Sequence, residues 1–318
     1  MKRKLSAIGF LLGLLLVFLI VYLSDPLKVI RILSTTDINL FLAAFLIEIG
    51  IILLFVKRLQ IIVKPKKEFW KIFRISIYAN AINMLTPILK IGGEPLKIIY
   101  LSRMKIKHAK AASFIAIESL SEVLGLYITL MLLIVLMSTK RLLPTSLLYP
   151  GLISIGFVSL CFIFALKILL SSSKIENILK KFLRKELARD VSNTFSRSFH
   201  KMIKDKKLLF KTLSLTFLSK FLELARIMLV LLALNMQVSF ELVALIWIAY
   251  TIIGMVPWLP GGLGIMEGGL ISVLLLFGVS REIAVSFVLL DRLLSLWMPI
   301  FIGFGYKFWS KFVRKSKF

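Results

Sequence analysis

Ionisable side chains that lie inside long apolar segments are the first candidates for chemistry in this sequence. A charged side chain at the centre of a membrane helix costs at least about 2.5–3.5 kcal/mol, so each one needs a partner or a function. Several stand three residues from an opposite charge, and an ion pair inside a helix bundle is the alternative interpretation for these. The set comprises Glu48, Glu94, Lys97, Glu118, Glu122, Lys220, Glu223, Arg226, Glu267, Asp291 and Arg292.

Glu118 and Glu122 stand four residues apart with no cation between them. Like charges at this spacing destabilise a helix unless a cation reaches them from elsewhere or one carboxyl is protonated. We therefore predict a charge network that connects different helices. Its candidate cations are Lys97, Lys220, Arg226 and Arg292, and its predicted supporting members are Glu118, Glu122, Lys220, Glu223, Arg226 and Asp291.

Two glycine-rich segments interrupt the apolar pattern, one at Gly92 and Gly93 and the other at Gly261, Gly262 and Gly264. Irregular backbone at membrane depth is tolerated only where it is buried in protein or lines a polar cavity. Glycine lets main-chain N–H groups approach a ligand closely, and N–H groups at a helix start bind anions. We predict an anion site here. The alternative is that these glycines only allow close packing.

The elements that must position these residues are membrane helices. The chain has 318 residues, of which 59% are hydrophobic and 18% charged, and its mean hydropathy is +0.93. Soluble domains are roughly 45–50% apolar, so this composition excludes a soluble protein. The apolar runs lack the alternation of barrel strands, which leaves an all-α polytopic membrane protein forming a single domain, 1–318. About six transmembrane helices are expected at 5–23, 39–56, 111–137, 150–170, 208–234 and 283–305.

Two further segments, 72–103 and 242–277, have the pattern of Gly/Pro-broken re-entrant hairpins. The return arm of the first, 95–101, is far too short to cross a hydrocarbon core of roughly 30 Å. The distribution of charge predicts that the two hairpins enter from opposite faces. Such a pair is typical of inverted-repeat transporters, whose site lies near the midplane.

The basic residues predict the orientation in the membrane. Of the 42 Lys and Arg, 32 fall in segments assigned to one side, whereas the other side holds five. The positive-inside rule places the 32, and both termini, in the cytoplasm of a cell-membrane protein. The net charge of +26 is thus explained by anionic headgroups rather than by nucleic acid. The most basic stretch, 171–211, is predicted to be an amphipathic cytoplasmic connector that lies on the membrane or is solvated.

Motifs for catalysis and metal binding are not found. The single cysteine, Cys161, lies in an apolar run, and there is no P-loop, nucleophile elbow or His-Glu-x-x-His motif. We therefore expect no cofactor, no metal site and no enzymatic activity.

Two motifs resemble the family named after the transmembrane region of lysylphosphatidylglycerol synthetase. They are Gly-Gly-Glu-Pro-Leu-Lys at 92–97, and Pro-Gly-Gly-Leu-Gly-Ile-Met-Glu at 260–267 with Asp-Arg-Leu at 291–293. The resemblance covers almost the whole chain. The family commonly has Arg where this chain has Met266, often has Glu-Arg where this chain has Glu122-Val123, and often has Arg at the position of Lys97.

The resemblance implies a flippase-like membrane domain that moves a lipid between leaflets. We expect an anionic or polyprenyl-linked headgroup to bind between the hairpin tips, at N–H groups of the glycines and at the charges of Lys97 and Arg292. Glu94 and Glu267 would hold those cations or relay a proton. The predicted binding residues are Gly92, Gly93, Glu94, Lys97, Gly261, Gly262, Gly264, Glu267 and Arg292.

Two alternatives from other classes stay open. A lipid-modifying enzyme would use Glu118, Glu122 or Glu94 as a general base. An accessory subunit would serve a separately encoded lipid transferase as its partner. The sequence assigns no oligomeric state.

Overall fold

The computed structural model describes residues 2–63, 69–86, 92–139, 166–181, 184–255 and 260–305, together with single residues between 153 and 164. Regular elements in these ranges are all helical. Their bounds are α1 Lys2–Tyr22, α2 Pro26–Ser34, α3 Ile38–Val63, α4 Phe69–Leu85, α5 Glu94–Arg103, α6 His108–Thr139, α7 Ser172–Leu179, α8 Lys185–Lys204, α9 Lys206–Ala233, α10 Phe240–Met255, α11 Ile265–Leu276 and α12 Arg281–Gly305. The predicted all-α polytopic class is confirmed.

Two compact units divide the chain. The first unit comprises Met1–Leu53, Ile77–Gly93 and Phe221–Phe318, and the second comprises Leu54–Ser76 and Glu94–Lys220. Each unit is therefore discontinuous in sequence. The chain passes between the units within α3, α4 and α9, and also at the start of α5, between Gly93 and Glu94.

Three of the described helices, α3, α6 and α12, are long and apolar enough to cross a membrane. They correspond to the spans predicted at 39–56, 111–137 and 283–305. A fourth span results if Leu11–Tyr22 and Pro26–Ser34, which meet at an angle of 86°, are counted together. The span predicted at 208–234 corresponds to α9, which is 28 residues long but carries several charges. Most of the segment 150–170 lies outside the described residues.

The first broken hairpin has a short second arm, as predicted. α5 has 10 residues and is about 15 Å long, half of a hydrocarbon core. Residues 87–91, at the predicted tip, lie outside the described part of the chain.

The second broken hairpin lies entirely in the first unit, where α10 packs against α11. The two helices are separated by a 3₁₀ turn, Pro260–Gly262. α11 has 12 residues and is about 18 Å long, so it is also too short to span. The predicted helical arms are confirmed; entry from opposite faces and the inverted repeat stay predictions.

The basic stretch 171–211 forms α7, α8 and the start of α9. In α8, Phe195, Phe199 and Met202 are buried in one apolar cluster with Phe114 and Ile117 of α6. The apolar face of α8 therefore packs on protein rather than on a membrane surface. A cytoplasmic position for this stretch stays a prediction.

Candidate functional site

Lys97 of α5 is buried between two carboxylates in the second unit. Its Nζ lies 3.2 Å from Oε1 of Glu94 and 3.1 Å from Oε2 of Glu118. The first contact is local, since Glu94 and Lys97 are one helical turn apart, whereas the second joins α5 to α6. The ammonium also lies 4.5 Å from the centre of the Phe55 ring, where a cation–π interaction stabilises its charge. Lys97 is thus one of the cations that the four-residue spacing of Glu118 and Glu122 required.

Glu122 of α6 contacts two further cations of the second unit. Nη1 of Arg58, on α3, donates to its Oε2, and Nζ of Lys220, on α9, lies 2.7 Å from its Oε1. Nη1 of Arg58 also donates to Oγ1 of Thr216 at 3.0 Å. The two glutamates of α6 are therefore neutralised from three different helices. A network between helices is the arrangement that their four-residue spacing predicted.

Arg58 is a site residue that the sequence reasoning missed. The apolar run ends at Val56, which predicts a cytoplasmic loop for Arg58, but α3 continues to Val63. Arg58 is only 3% exposed, and its guanidinium lies 5.0 Å from the Phe55 ring centre. The sequence signal that the helix continues was the spacing of the apolar Leu59 and Ile62, which stand three residues apart.

Arg226 of α9 joins three helices in the first unit. Its Nη1 lies 3.4 Å from Oε2 of Glu48 on α3, and its Nη2 lies 3.2 Å from Oδ1 of Asp291 on α12. All three residues are buried. Glu48, which has no partner in the nearby sequence, thus has one across the bundle.

Arg292 of α12 holds the broken segment of the second hairpin. Its Nε donates to Oε1 of Glu267 at 2.6 Å, its Nη1 donates to the hydroxyl of Tyr250 at 3.0 Å, and its Nη2 donates to the carbonyl of Gly261 at 2.5 Å. One guanidinium therefore binds α10, the 3₁₀ turn and α11 at once. Its planar set of donors suits this task better than a lysine would.

The three glycines of the second hairpin form its turn. Gly261, Gly262 and Gly264 all have positive φ, at 70°, 67° and 84°, a region that other residues rarely adopt. The N–H of Gly264 donates to Oε2 of Glu267 at 2.6 Å. Glu267 thus caps the start of α11 with one oxygen and holds Arg292 with the other.

The N–H groups of Gly92 and Gly93 were predicted to face an anion, and the structure gives them partners inside the first unit. The N–H of Gly93 donates to Oδ1 of Asn83 at 2.6 Å, and that of Gly92 donates to Oγ1 of Thr86 at 3.3 Å. A Cβ at Gly93 would lie 2.1 Å from the carbonyl oxygen of Ala79. These contacts favour the alternative, in which the glycines allow close packing.

Glu223, the remaining predicted member, accepts from Nε1 of Trp247 at 3.0 Å in the first unit. In each unit, then, predicted residues from several helices come together as buried ion pairs and hydrogen bonds. Among the described residues, no group of three His, Cys, Asp or Glu could hold a metal ion. The site thus consists of cation–carboxylate pairs buried among apolar helices.

Comparison with known proteins agrees with this architecture. The family described as "Lysylphosphatidylglycerol synthase TM region" matches residues 6–303. A UPF0104 membrane protein of Methanothermobacter thermautotrophicus is 26% identical over 95% of this chain and 94% of its own length. A UPF0104 membrane protein of Pyrococcus horikoshii is 24% identical over 95% of this chain and 96% of its own length. Because the family match covers most of the sequence, the chain belongs to the family of the lysylphosphatidylglycerol synthase transmembrane region.

Proposed function

We propose that this protein moves a lipid with an anionic or polyprenyl-linked headgroup between the leaflets of the cell membrane. The observation that carries the proposal is that a buried cation is paired with a carboxylate at each broken hairpin, one lying on the first hairpin and the other reaching the second from α12. Lys97 lies between Glu94 and Glu118, and Arg292 is bound to Glu267. Ionisable side chains buried among membrane helices mark the path of a polar substrate in many transporters.

The ion pairs allow a headgroup to replace one of their partners. A lipid phosphate that enters beside Lys97 or Arg292 competes with the carboxylate for the cation, because both anions accept charge-assisted hydrogen bonds. The carboxylate released in this exchange can take up a proton or bind a cationic part of the headgroup. The polar headgroup therefore crosses by replacing existing contacts rather than by entering bare hydrocarbon.

The backbone around Arg292 is suited to such an exchange. A π-helical turn, Leu293–Trp297, begins directly after it in α12. Single π-turns inside α-helices are frequent at functional sites, since they loosen the regular hydrogen-bond ladder. The hydroxyl groups of Tyr250 and Ser295 lie 3.1 Å apart, so the turn is connected to a ligand of Arg292. We propose that this turn adjusts when Arg292 changes partners.

The basic residues and the family name bear on the orientation of the protein and on its partners. Both termini are proposed to lie in the cytoplasm, where the 32 basic residues would attract anionic lipids. The family is named after the synthase of lysylphosphatidylglycerol, and this favours a phosphatidylglycerol-type headgroup. We propose no chemical step on the lipid, and a separately encoded transferase is the partner that would supply or consume it.

Leaflet exchange in liposomes tests this function. The purified protein is reconstituted, and fluorescent phosphatidylglycerol, phosphatidylcholine and a polyprenyl phosphate are followed separately by quenching of the outer-leaflet label. We expect phosphatidylglycerol or the polyprenyl lipid to exchange faster than in protein-free liposomes. Phosphatidylcholine should exchange more slowly than the transported lipid in the same liposomes. If folded, inserted protein accelerates none of the three lipids, the transport function is wrong and the enzymatic and accessory alternatives gain support.

A further inference from the structure

In the second unit, the cations of Arg58 and Lys220 form an anion site that the carboxylate of Glu122 occupies. We propose that this cluster binds the phosphate group of a lipid, and that Glu122 occupies the phosphate position until the lipid displaces it. The claim that the phosphate belongs to a lipid rests on the proposed function, whereas the claim that the cluster binds an anion does not. The cluster shares the Phe55 ring with Lys97, but its carboxylate is Glu122, whereas Lys97 is paired with Glu94 and Glu118.

The geometry of the two cations fits an anion with two oxygens on one face. Arg58 binds Oε2 of Glu122, while Lys220 binds Oε1 at 2.7 Å. The two cations come from α3 and α9, and they converge on one carboxylate of α6. A phosphate group presents oxygens in a similar arrangement and carries at least as much negative charge, so it can take over both contacts.

Arg58 has a donor that the residues described by the structure do not use. Its Nε is buried and has no hydrogen-bond partner among the residues that the structure describes. Buried donors are nearly always satisfied, so an unsatisfied one points to a group that binds there. Thr216 and the Phe55 ring hold the guanidinium in place. A phosphate has more acceptor oxygens than a carboxylate and could satisfy this donor as well.

Exposure distinguishes Glu122 from its partners. The Glu122 side chain is 34% exposed, whereas those of Arg58 and Lys220 are 3% and 8% exposed. The neighbouring pair of Lys97 and Glu118 is closed, since both side chains are almost fully buried. Glu122 is therefore the member that can leave by rotating its side chain, and its departure uncovers two fixed cations.

The surroundings favour a lipid over inorganic phosphate. Glu122 lies in α6, which is long and apolar enough to cross a membrane, and its side chain is 34% exposed. A phosphate reaches a partly exposed position on such a helix most readily as part of a lipid, whose acyl chains stay in the hydrocarbon core. The shared chemistry of the two sources is the phosphate group, and parallel titrations with each source separate them.

The test is the affinity for short-chain phosphatidylglycerol, measured by calorimetry in detergent below the critical micelle concentration of the lipid. Glu122→Gln keeps the shape of the side chain but removes its charge, so Arg58 and Lys220 lose the ion pair that a phosphate would have to displace. We expect this variant to bind the lipid roughly tenfold tighter than the unchanged protein. Glu176→Gln, which alters a surface ion pair on α7, is the matched control and should leave the affinity unchanged.

Two further variants keep the test decisive if Glu122→Gln does not fold. Lys220→Gln removes one cation and should weaken binding at least threefold, and Arg58→Gln should weaken it further, while Lys201→Gln on the exposed face of α8 should have no effect. Inorganic phosphate and short-chain phosphatidylcholine are titrated in parallel. Equal affinity for inorganic phosphate and phosphatidylglycerol would assign the site to free phosphate and overturn the lipid source.

The proposal is wrong if folded Glu122→Gln binds phosphatidylglycerol no more tightly than the unchanged protein, or if Lys220→Gln and Arg58→Gln leave the affinity unchanged. Its failure is separable from that of the proposed function. Binding with the expected pattern but without leaflet exchange retains the site and removes the transport function. Leaflet exchange without this binding pattern retains the transport function and removes the site.

Discussion

Nη2 of Arg226 lies 3.2 Å from Oδ1 of Asp291, and both side chains are buried in the first unit. Asp291 and Arg292 are adjacent in sequence, yet they point to different partners, because consecutive residues of a helix face directions about 100° apart. Asp291 binds Arg226, and Arg292 binds Glu267. α12 is thereby connected to α9 by one residue and to α11 by the next.

Removing Arg226 should destabilise the protein strongly. Arg226→Gln leaves Glu48 and Asp291 buried without the cation that both contact, and breaking a buried pair in this way costs about 3–5 kcal/mol. Asp291→Asn should cost less, because Glu48 still compensates Arg226. The free energy of unfolding is measured by denaturant titration in mixed micelles, with the exposed Arg281→Gln as the control. Equal stability of Arg226→Gln and the control would show that the pair does not stabilise the fold.

Gly93 should not tolerate even a methyl group. The Cβ of Gly93→Ala would lie 2.1 Å from a backbone oxygen, which cannot move as a side chain does. We expect a loss of about 1–3 kcal/mol or more in the free energy of unfolding. Gly305→Ala is the matched control, since no atom of the described residues would lie within 4 Å of the Cβ that it adds, and it should change stability by less than about 0.5 kcal/mol. Similar values for the two variants would contradict the close packing at Gly93.

The three hydrogen bonds of Arg292 require a guanidinium. Arg292→Lys keeps the charge, but one ammonium cannot reach Glu267, Tyr250 and the Gly261 carbonyl in the same geometry. We expect leaflet exchange to fall by at least tenfold in this variant, nearly as far as in Arg292→Gln. The exposed Arg31→Lys should exchange lipid at the normal rate. Full activity of Arg292→Lys would reduce the role of this residue to its charge.

The proposed orientation can be tested by labelling single cysteines in intact cells. Cys161 is the one cysteine in the sequence, so a Cys161→Ser background is free of thiols. Ser34→Cys, at the end of α2, should react with a membrane-impermeant maleimide from outside. Lys201→Cys, on α8, should react only after the cells are opened. The reverse pattern would place the termini outside the cell.

The sequence was sufficient to predict the all-α class, three of the long spans and the short helices that follow the two glycine-rich segments. Long apolar runs predicted α3, α6 and α12 because backbone in lipid must be helical. The glycines and prolines near 92–97 and 257–264 predicted where helices break. These features depend on local sequence, and tertiary packing did not override them.

The partners of the charged residues could be predicted only in part. The spacing of Glu118 and Glu122 required a cation from another helix, but which cation reaches which carboxylate depends on how the helices pack. Arg58 was missed because α3 extends one to two turns beyond its apolar run. The predicted ligand N–H groups at Gly92 and Gly93 were assigned from residue type alone, whereas the side chains of Asn83 and Thr86 accept them.

Leaflet exchange by the Lys97→Gln/Arg292→Gln double variant tests the central claim most directly. The assay uses liposomes with fluorescent phosphatidylglycerol, and a Lys201→Gln/Arg31→Gln protein serves as the charge-matched control. If the buried cations form the lipid path, the double variant loses exchange while it remains folded and inserted, and the control keeps the rate of the unchanged protein. If the folded double variant exchanges lipid as fast as the control, the headgroup does not pass these cations and the proposed site is wrong.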